Sequence, residues 1–187
     1  MEIIRMETER LILRAWTMED AEAMYDYAST DIVGPAAGWK PHESIEETRE
    51  TIKALFLPPN AEAWAMQRKD DGRVIGSIGL HKDASRAEGL PVRMLGYVLN
   101  PRDWGNGFMQ EGCIAIMDHA FHTLGMELIT VAHFPDNHRS RRVIERLGFR
   151  LEGTRRMADT LHDGTITDEI AYSMTCAEFE ALHPTKV

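Results

Sequence analysis

The feature that most restricts how this chain can fold is a strand, a helix and a second strand that follow one another between residues 93 and 134. The apolar segments RMLGYVL and LITVAHF have the length of strands. Between them, apolar residues recur on one face of a helix predicted from about Phe108 to Leu124. A connection of this kind joins two parallel strands and is right-handed. The sequence therefore predicts a parallel β-α-β unit in the middle of a sheet.

The remaining strand signals predict antiparallel pairing around this unit. RLILRAW alternates in polarity, which is typical of a half-buried first strand. Asp71-Gly72 lies between AEAWAMQRK and VIGSIGLH, and Asp163-Gly164 lies between FRLEGTRRMAD and TITDEIAYSM. Asp-Gly between two such segments is a hairpin signal. We therefore predict a mixed, largely antiparallel sheet of about seven strands.

Three further helices are indicated by residues that favour helix ends. The signals are Thr17 before a helix to about Tyr27, the Ser44 and Glu47 capping box before a helix to about Phe56, and Asn137 before a helix that ends ahead of Gly148. Residues 28–43 are rich in Gly and Pro and predict a long loop, and loops of that length are often functional. The element order β-α-α-β-β-β-α-β-α-β-β indicates an α/β fold with flanking helices.

Composition limits the class of protein. A chain of 187 residues with 43% hydrophobic and 27% charged residues suits one globular domain, residues 1–187. The net charge of −9 argues against nucleic-acid binding and favours cationic partners such as amines or basic proteins. The alternative is that the acidic charge only keeps the protein soluble. No membrane span or signal peptide is expected, and Cys113 and Cys176 lack zinc or redox spacing. We expect a cytoplasmic protein with reduced cysteines, no metal and a monomeric or homodimeric state.

The segment GYVLNPRDWGNGFMQEG places two glycines between the strand and the helix of the central unit. Glycines directly before a helix N-terminus let an anion approach the free N–H groups and the positive end of the helix dipole. The dinucleotide motif would need a third glycine where Gln110 stands, and the Gly-Lys-Ser/Thr of a P-loop is absent. These residues alone indicate either a different phosphate cradle or a plain glycine turn.

Further segments narrow this choice. Two segments follow the glycine segment in order, DNHRSRRVIERLGFRLEG and HDGTITDEIAYSM. Two others precede it, ETERLILRAWTMEDA and GWKPHESIEET. Together, from about Thr8 to Met174, these segments resemble the GCN5-related N-acetyltransferases, and most closely the subgroup of ribosomal-protein N-terminal serine or alanine acetyltransferases. In that subgroup, Trp-Gly-x-Gly-aromatic-Ala replaces the usual Arg/Gln-x-x-Gly-x-Gly/Ala. Trp104 therefore takes the Arg/Gln place, although RDWGNG matches the usual motif literally from Arg102.

The resemblance implies a binding site for acetyl-CoA. The resemblance implies that the backbone contacts the pyrophosphate at Gly105, Asn106, Gly107, Phe108 and Met109. It implies that the pantetheine pairs like a strand with Tyr97, Val98 and Leu99 and receives a hydrogen bond from Asn137. It also implies that Ser140 lies near the sulfur and Arg142 near the CoA phosphates. Met109 departs from the family, which has Ala or Gly there, so its side chain either crowds the pyrophosphate or points into the core. From the residues alone, Asn137 and Ser140 form an ordinary capped helix start.

Attack by an amine on a thioester requires a proton acceptor, because an ammonium group is not nucleophilic. Asp159 is the first candidate, since ribosomal-type enzymes carry a carboxylate at this point, and Asp168, Glu169 and His133 are alternatives. Glu111 is assigned to complementing the helix dipole. His81, His119 and His122 receive no role.

The predicted function is direct acetyl transfer from acetyl-CoA to a primary amine, with Ser140 serving the departing thiolate and Asp159 the proton. The expected acceptor is the N-terminal α-amine of a protein or peptide. Two alternatives stay open: acetylation of a small amine such as a polyamine, amino sugar or drug, and a non-catalytic acyl-CoA-binding module.

Overall fold

The computed structural model describes residues 3–184, which form eight strands and five α-helices. Their order is β1 (Met6–Glu7), β2 (Leu11–Arg14), α1 (Ala21–Ala28), α2 (Ile45–Thr51), β3 (Ala63–Arg68), β4 (Val74–His81), β5 (Val92–Leu99), α3 (Phe108–His122), β6 (Leu128–His133), α4 (His138–Leu147), β7 (Arg150–Thr160), β8 (Ile166–Thr175) and α5 (Cys176–Leu182). The order of the predicted elements is confirmed, and β1 and α5 are additions to it.

One mixed sheet contains all eight strands in the order β1-β2-β3-β4-β5-β6-β8-β7. Only β5 and β6 pair in parallel, and the other neighbouring strands of the described chain are antiparallel. The predicted sheet of about seven strands is short by β1, whose two residues pair with Leu13 and Ile12 of β2. A two-residue strand has no periodicity that a sequence pattern could reveal.

The central parallel pair is short, and this decides where a ligand can bind. β5 and β6 pair only through Val92, Arg93 and Met94, opposite residues 128–130. On its other side, β5 pairs with β4 as far as Leu99. Beyond Met94, β5 therefore separates from β6, and one edge of residues 95–99 has no strand partner among the described residues.

The two faces of the sheet carry separate helices and separate cores. On one face, α3 and α4 pack through residues such as Ile116, Met117 and Ile144. On the other face, α1 and α2 pack around Trp16 and Tyr27. Side chains alternate along a strand, so Tyr97 packs against the first core and Val98 against the second.

Local sequence signals explain the helix boundaries. The Ser44 side chain accepts a hydrogen bond from the Glu47 N–H at the start of α2, and a π-helical turn, Ile52–Phe56, extends this helix to the predicted end. The predicted loop of residues 28–43 contains one short 3₁₀-helix, Pro35–Ala37. Within residues 3–184, no helix is both long and apolar enough to cross a membrane.

Candidate active site

The predicted cradle forms a bend directly before α3. Gly105 and Gly107 have φ angles of 81° and 79°, a left-handed conformation that glycine adopts without strain. Gly107 is the N-cap of α3, and no described side chain caps the helix there. A Cβ on Gly105 would meet no atom within 4 Å, so the bend is open. The backbone N–H groups of the first helical turn can therefore receive an anion.

Met109 points away from this cradle. Its side chain is 5% exposed and belongs to the core between the sheet and α3. Phe108 is also buried, at 8% exposure. Of the two possible positions for the Met109 side chain, the structure shows the one in the core, so the departure from the family pattern does not obstruct the cradle.

Arg10 is a cation beside the cradle that the sequence analysis did not identify. Its Nη1 donates to the Asn106 carbonyl oxygen over 2.9 Å, and its guanidinium lies 4.6 Å from the centroid of the Phe108 ring. Glu111 holds Arg10 through its Nε at 2.6 Å and also accepts from the Thr8 hydroxyl. Nothing local links residue 10 to residue 106, so no sequence signal could have shown this contact.

Glu111 therefore does more than complement the helix dipole. Burial by itself would raise the pKa of its carboxyl, but hydrogen bonds from Thr8 and from Arg10 lower that pKa below its ordinary value. The charged carboxylate joins the β1–β2 turn to the first turn of α3. The cradle thus has a fixed edge.

The predicted pantetheine partners lie on the half-paired part of β5. Tyr97, Val98 and Leu99 pair with β4 on one side and have no strand partner on the β6 side among the described residues. The Leu99 carbonyl already accepts a hydrogen bond of 2.9 Å from the Trp104 indole. The remaining free backbone groups can pair with an extended, amide-bearing ligand as a strand would.

The structure brings Ser140 to Tyr97. The Tyr97 hydroxyl lies 2.9 Å from Ser140 Oγ, so the start of α4 faces the half-paired edge of β5. Burial raises the pKa of the Tyr97 phenol, so it stays protonated at neutral pH. The sequence analysis named Tyr97 only for its backbone, whereas the structure adds its hydroxyl as a hydrogen-bond partner of Ser140.

Asn137 and two arginines of α4 make contacts within the protein. Asn137 Oδ1 accepts from the Ser140 N–H over 3.0 Å, and its Nδ2 donates to Ala36 in the loop between α1 and α2 over 2.9 Å. Both ends of the amide are thus engaged within the protein. Arg142 is exposed and bonds to the His138 carbonyl of its own helix, whereas Arg139 stacks 4.4 Å above the Trp104 ring, next to the cradle.

The candidate proton acceptors are dispersed. Asp159 is exposed in the outer part of the β7–β8 hairpin, where its carboxylate accepts a hydrogen bond from the Thr160 N–H. Its cross-strand partner is Thr167, three residues before Ile170, where the β6–β8 pairing ends. Asp168 accepts from the Met157 N–H, and Glu169 pairs with Arg155 at 2.8 Å. His133 is buried, with Nδ1 2.8 Å from the Phe134 carbonyl. No described hydrogen bond joins any of them to Ser140.

A groove of about 1200 Å³ lies on the sheet face that carries α1 and α2. Its lining includes Trp39 from the predicted functional loop, Tyr27 from α1, and Gly96, Tyr97 and Val98 from β5. The groove therefore reaches the half-paired part of β5 from the face opposite to α3. It is wide enough for an acceptor molecule, since small-molecule sites commonly measure about 300–1,000 Å³.

Both cysteines are free thiols. Burial raises the pKa of the Cys113 thiol, so it is not a ready nucleophile. The other thiol belongs to Cys176. Potential metal-ligand atoms of Cys176, His122 and Glu180 lie within 4.8 Å of one another, a grouping that the sequence analysis did not predict. His122 and Glu180 are exposed, and the three residues lie at the ends of α3 and α5, away from the cradle.

The parallel strand pair separates beside a glycine bend at the following helix, which leaves a free strand edge next to a helix N-terminus. The model of the acetyltransferase (GNAT) domain matches residues 10–150. The uncharacterized N-acetyltransferase YoaA of Bacillus subtilis is 34% identical over 172 residues, which cover 90% of this chain and 95% of that protein. The chain belongs to the GNAT acetyltransferase family and is an acyltransferase.

Solved structures agree on the fold. An acetyltransferase of the GNAT family from Bacillus anthracis superposes with a TM-score of 0.81 at 24% identity, covering 92% of this chain and 98% of that one. The ribosomal-protein-S5-alanine acetyltransferase of Vibrio fischeri gives a TM-score of 0.71 at 21% identity, covering 94% and 98%. These structures confirm the predicted fold class and include a ribosomal-protein acetyltransferase, while the domain model and the B. subtilis relative confirm the predicted family.

Proposed function

We propose that this protein transfers the acetyl group of acetyl-CoA to the N-terminal α-amine of a protein or peptide. The observation that carries the proposal is the hydroxyl pair of Tyr97 and Ser140, which faces a half-paired strand beside an open glycine cradle. The family generally uses acetyl-CoA and acts on amines, so membership supports both the donor and the chemistry of this proposal.

In this proposal the cradle receives the pyrophosphate through the backbone N–H groups of residues 105–109. The free edge of residues 97–99 aligns the pantetheine, and its sulfur reaches the separation of β5 from β6. Arg10 adds positive charge at the cradle, although Glu111 neutralises part of it. Arg139 and Arg142 are the candidate cations for the 3′-phosphate end of CoA. Arg139 is included because it stacks on Trp104, next to the cradle.

The chemistry forms a C–N bond and breaks the C–S bond. The amine lone pair attacks the thioester carbonyl carbon, and the tetrahedral intermediate collapses with the thiolate as leaving group. Ser140 Oγ donates to that thiolate and is in turn supported by the protonated Tyr97 hydroxyl at 2.9 Å. A donor that acts on developing charge is worth about 10²–10³ in rate at well-ordered sites.

Three considerations favour an α-amine as the acceptor. A structural neighbour is described as a ribosomal-protein alanine acetyltransferase. The net charge of −9 attracts a cationic polypeptide. An α-amino group has a pKa near about 8, against about 10.4 for lysine, so a modest base such as Asp159, directly or through water, is sufficient to deprotonate it. Asp159 is the base that the resemblance implies.

A second candidate function is acetylation of a small amine. It is favoured by the groove, whose volume of about 1200 Å³ is near that of small-molecule sites.

The deciding experiment is a mass-spectrometric screen for the gain of one acetyl group. The panel contains basic peptides with free N-termini, the same peptides blocked at the N-terminus, and free amines such as spermidine and phenylethylamine. We expect the free-N-terminus peptides to have the highest kcat/KM. If the blocked peptides or the free amines are acetylated best, the acceptor is a lysine or a small amine instead.

A further inference from the structure

His81, at the end of β4, lies across two glycines on the floor of the groove. A Cβ on Gly79 would be 2.9 Å from His81 Nε2, and a Cβ on Gly96 would be 3.0 Å from Cδ2 and Nε2 of the same ring. These two glycines are direct cross-strand neighbours in the β4–β5 pairing. A Cβ at Gly79 would force the imidazole to shift, and a Cβ at Gly96 would be in tight contact with it, so the ring occupies a seat that both glycines leave open.

This seat adjoins the point where the two parallel strands separate. Met94 is the last residue of β5 that pairs with β6, and Gly96 follows two residues later. Gly96 also directly precedes Tyr97, whose hydroxyl contacts Ser140 on the opposite face of the sheet. The imidazole and the hydroxyl pair therefore lie on the two faces of the same short segment of β5.

His81 is chemically free, unlike the other charged or histidine side chains of the groove. Glu62 pairs with Arg93 at 2.8 Å, and His42 Nδ1 lies 2.8 Å from the Thr48 hydroxyl. The remaining charged lining residues also have partners among the described residues: Lys40, Glu47, Lys82, Asp83, Arg86 and Glu88. Within residues 3–184, neither ring nitrogen of His81 has a hydrogen-bond partner.

The surroundings keep the imidazole neutral. Desolvation lowers the pKa of His81 below its ordinary value although the residue is exposed by surface area, and the nearby Glu62 carboxylate opposes this effect. Arg93 compensates part of the Glu62 charge. At neutral pH the ring can therefore accept a proton.

We propose that the groove is the acceptor site and that His81, in place of Asp159, removes the proton from the ammonium group of the acceptor, an inference that rests on the proposed acetyltransferase function. The exposed Leu55 and Leu90 at the groove lining suit an acceptor whose amine is attached to an apolar side chain or ring.

The proton balance is complete without a further reactant. An imidazole nitrogen of His81 takes one proton from the ammonium group, and the neutral amine attacks the thioester carbonyl. Collapse of the intermediate releases the thiolate. The attacking amine nitrogen loses a second proton, which passes to the sulfur by way of Ser140 and Tyr97. His81 then returns its proton to solvent, which leaves the amide, free CoA and one proton.

The first test measures His81→Gln with two acceptors: an octapeptide with a free N-terminal leucine, and phenylethylamine. We expect kcat to fall by about 10²–10⁴, the usual contribution of a general base, with an unchanged Kd for acetyl-CoA. The wild-type kcat/KM should decline as the pH falls through a value below about 6.5, the ordinary pKa of histidine, and His81→Gln should lack this decline.

Two further variants separate proton transfer from a merely structural role. Added imidazole should restore part of the activity of His81→Ala, because the deletion leaves an open seat. Gly96→Ala should displace the ring and lower kcat while His81 itself is retained. His122→Gln, an exposed histidine at the end of α3, is the matched control and should keep wild-type rates.

The outcomes distinguish the two proposals. If wild-type protein acetylates either acceptor and His81→Gln keeps both the rate and the acidic decline, the His81 proposal is overturned and the acetyltransferase function stands. If Asp159→Asn abolishes the acidic decline instead, the carboxylate is the base. If wild-type protein binds acetyl-CoA and acetylates neither acceptor, the acceptor class inferred here fails, and the panel described above decides on the function separately.

Discussion

At the residue scale, the site uses glycine for two different physical reasons. Gly107 needs its left-handed φ of 79°, which turns the chain into α3. Gly96 instead leaves room, because a Cβ there would be 3.0 Å from the His81 ring. The first glycine shapes backbone that can bind an anion, and the second makes space for a side chain.

Gly107→Val should abolish acetyl-CoA binding, because a branched side chain at positive φ strains the bend and covers the approach to the first N–H groups of α3. Isothermal calorimetry measures the loss. Gly125→Val is the matched control, since Gly125 also has a positive φ of 67° and open space around it, but lies after α3. If both variants bind acetyl-CoA as tightly as the wild type, the cradle is elsewhere.

Ser140→Ala should lower kcat by about 10²–10³ and change the Kd of acetyl-CoA much less, because the hydroxyl acts on charge that develops at the sulfur. Stopped-flow or single-turnover measurements isolate the chemical step. Ser29→Ala, which removes another half-buried serine hydroxyl at the end of α1, is the control. An unchanged single-turnover rate for Ser140→Ala would exclude the role.

At the scale of elements, α3 is anchored to the N-terminal strands by one carboxylate. Glu111 accepts hydrogen bonds from Thr8 and from the backbone and side chain of Arg10. Because the folded-state pKa of Glu111 is lowered, its contribution to stability is present above the unfolded pKa of about 4.3 and is lost as the pH falls through the folded value.

Glu111→Gln should therefore lower the free energy of unfolding at neutral pH by about 1–2 kcal/mol, since hydrogen bonds to a charged group are replaced by weaker ones. The difference from the wild type should shrink below about pH 4. Urea denaturation at several pH values measures both effects. Glu22→Gln, an exposed position in the first turn of α1, should show neither. A deficit that stays constant with pH would contradict this linkage.

At the scale of the molecule, net charge and acceptor preference are linked. A protein with a net charge of −9 attracts a basic peptide over a distance that salt shortens, to about 10 Å at 0.1 M ionic strength. For a peptide with several lysines, kcat/KM should fall as the sodium chloride concentration rises from about 0.02 to about 0.5 M, mainly because KM increases. An uncharged peptide with the same N-terminal residue is the control, and an equal fall for both would remove the electrostatic argument.

Apart from β1 and α5, the elements and their order could be predicted from the sequence, because their signals are local. The Asp71-Gly72 turn, the Ser44 cap and the β-α-β pattern each depend on residues a few positions apart. The glycine bend before α3 is likewise visible in the chain. Family membership followed from several such segments in order, and the model of the domain confirms it.

The chemistry of the site depended on contacts that only the tertiary structure decides. Tyr97 and Ser140 are 43 residues apart, and Arg10 and Asn106 are 96 apart. His81 was assigned no role from the sequence, yet the β4–β5 register seats its ring on two glycines of neighbouring strands. The sequence by itself determined the strands, the caps and the cradle, since these depend on neighbouring residues. The sheet register and the separation of β5 from β6 decided which side chains meet, because packing across the whole fold sets both.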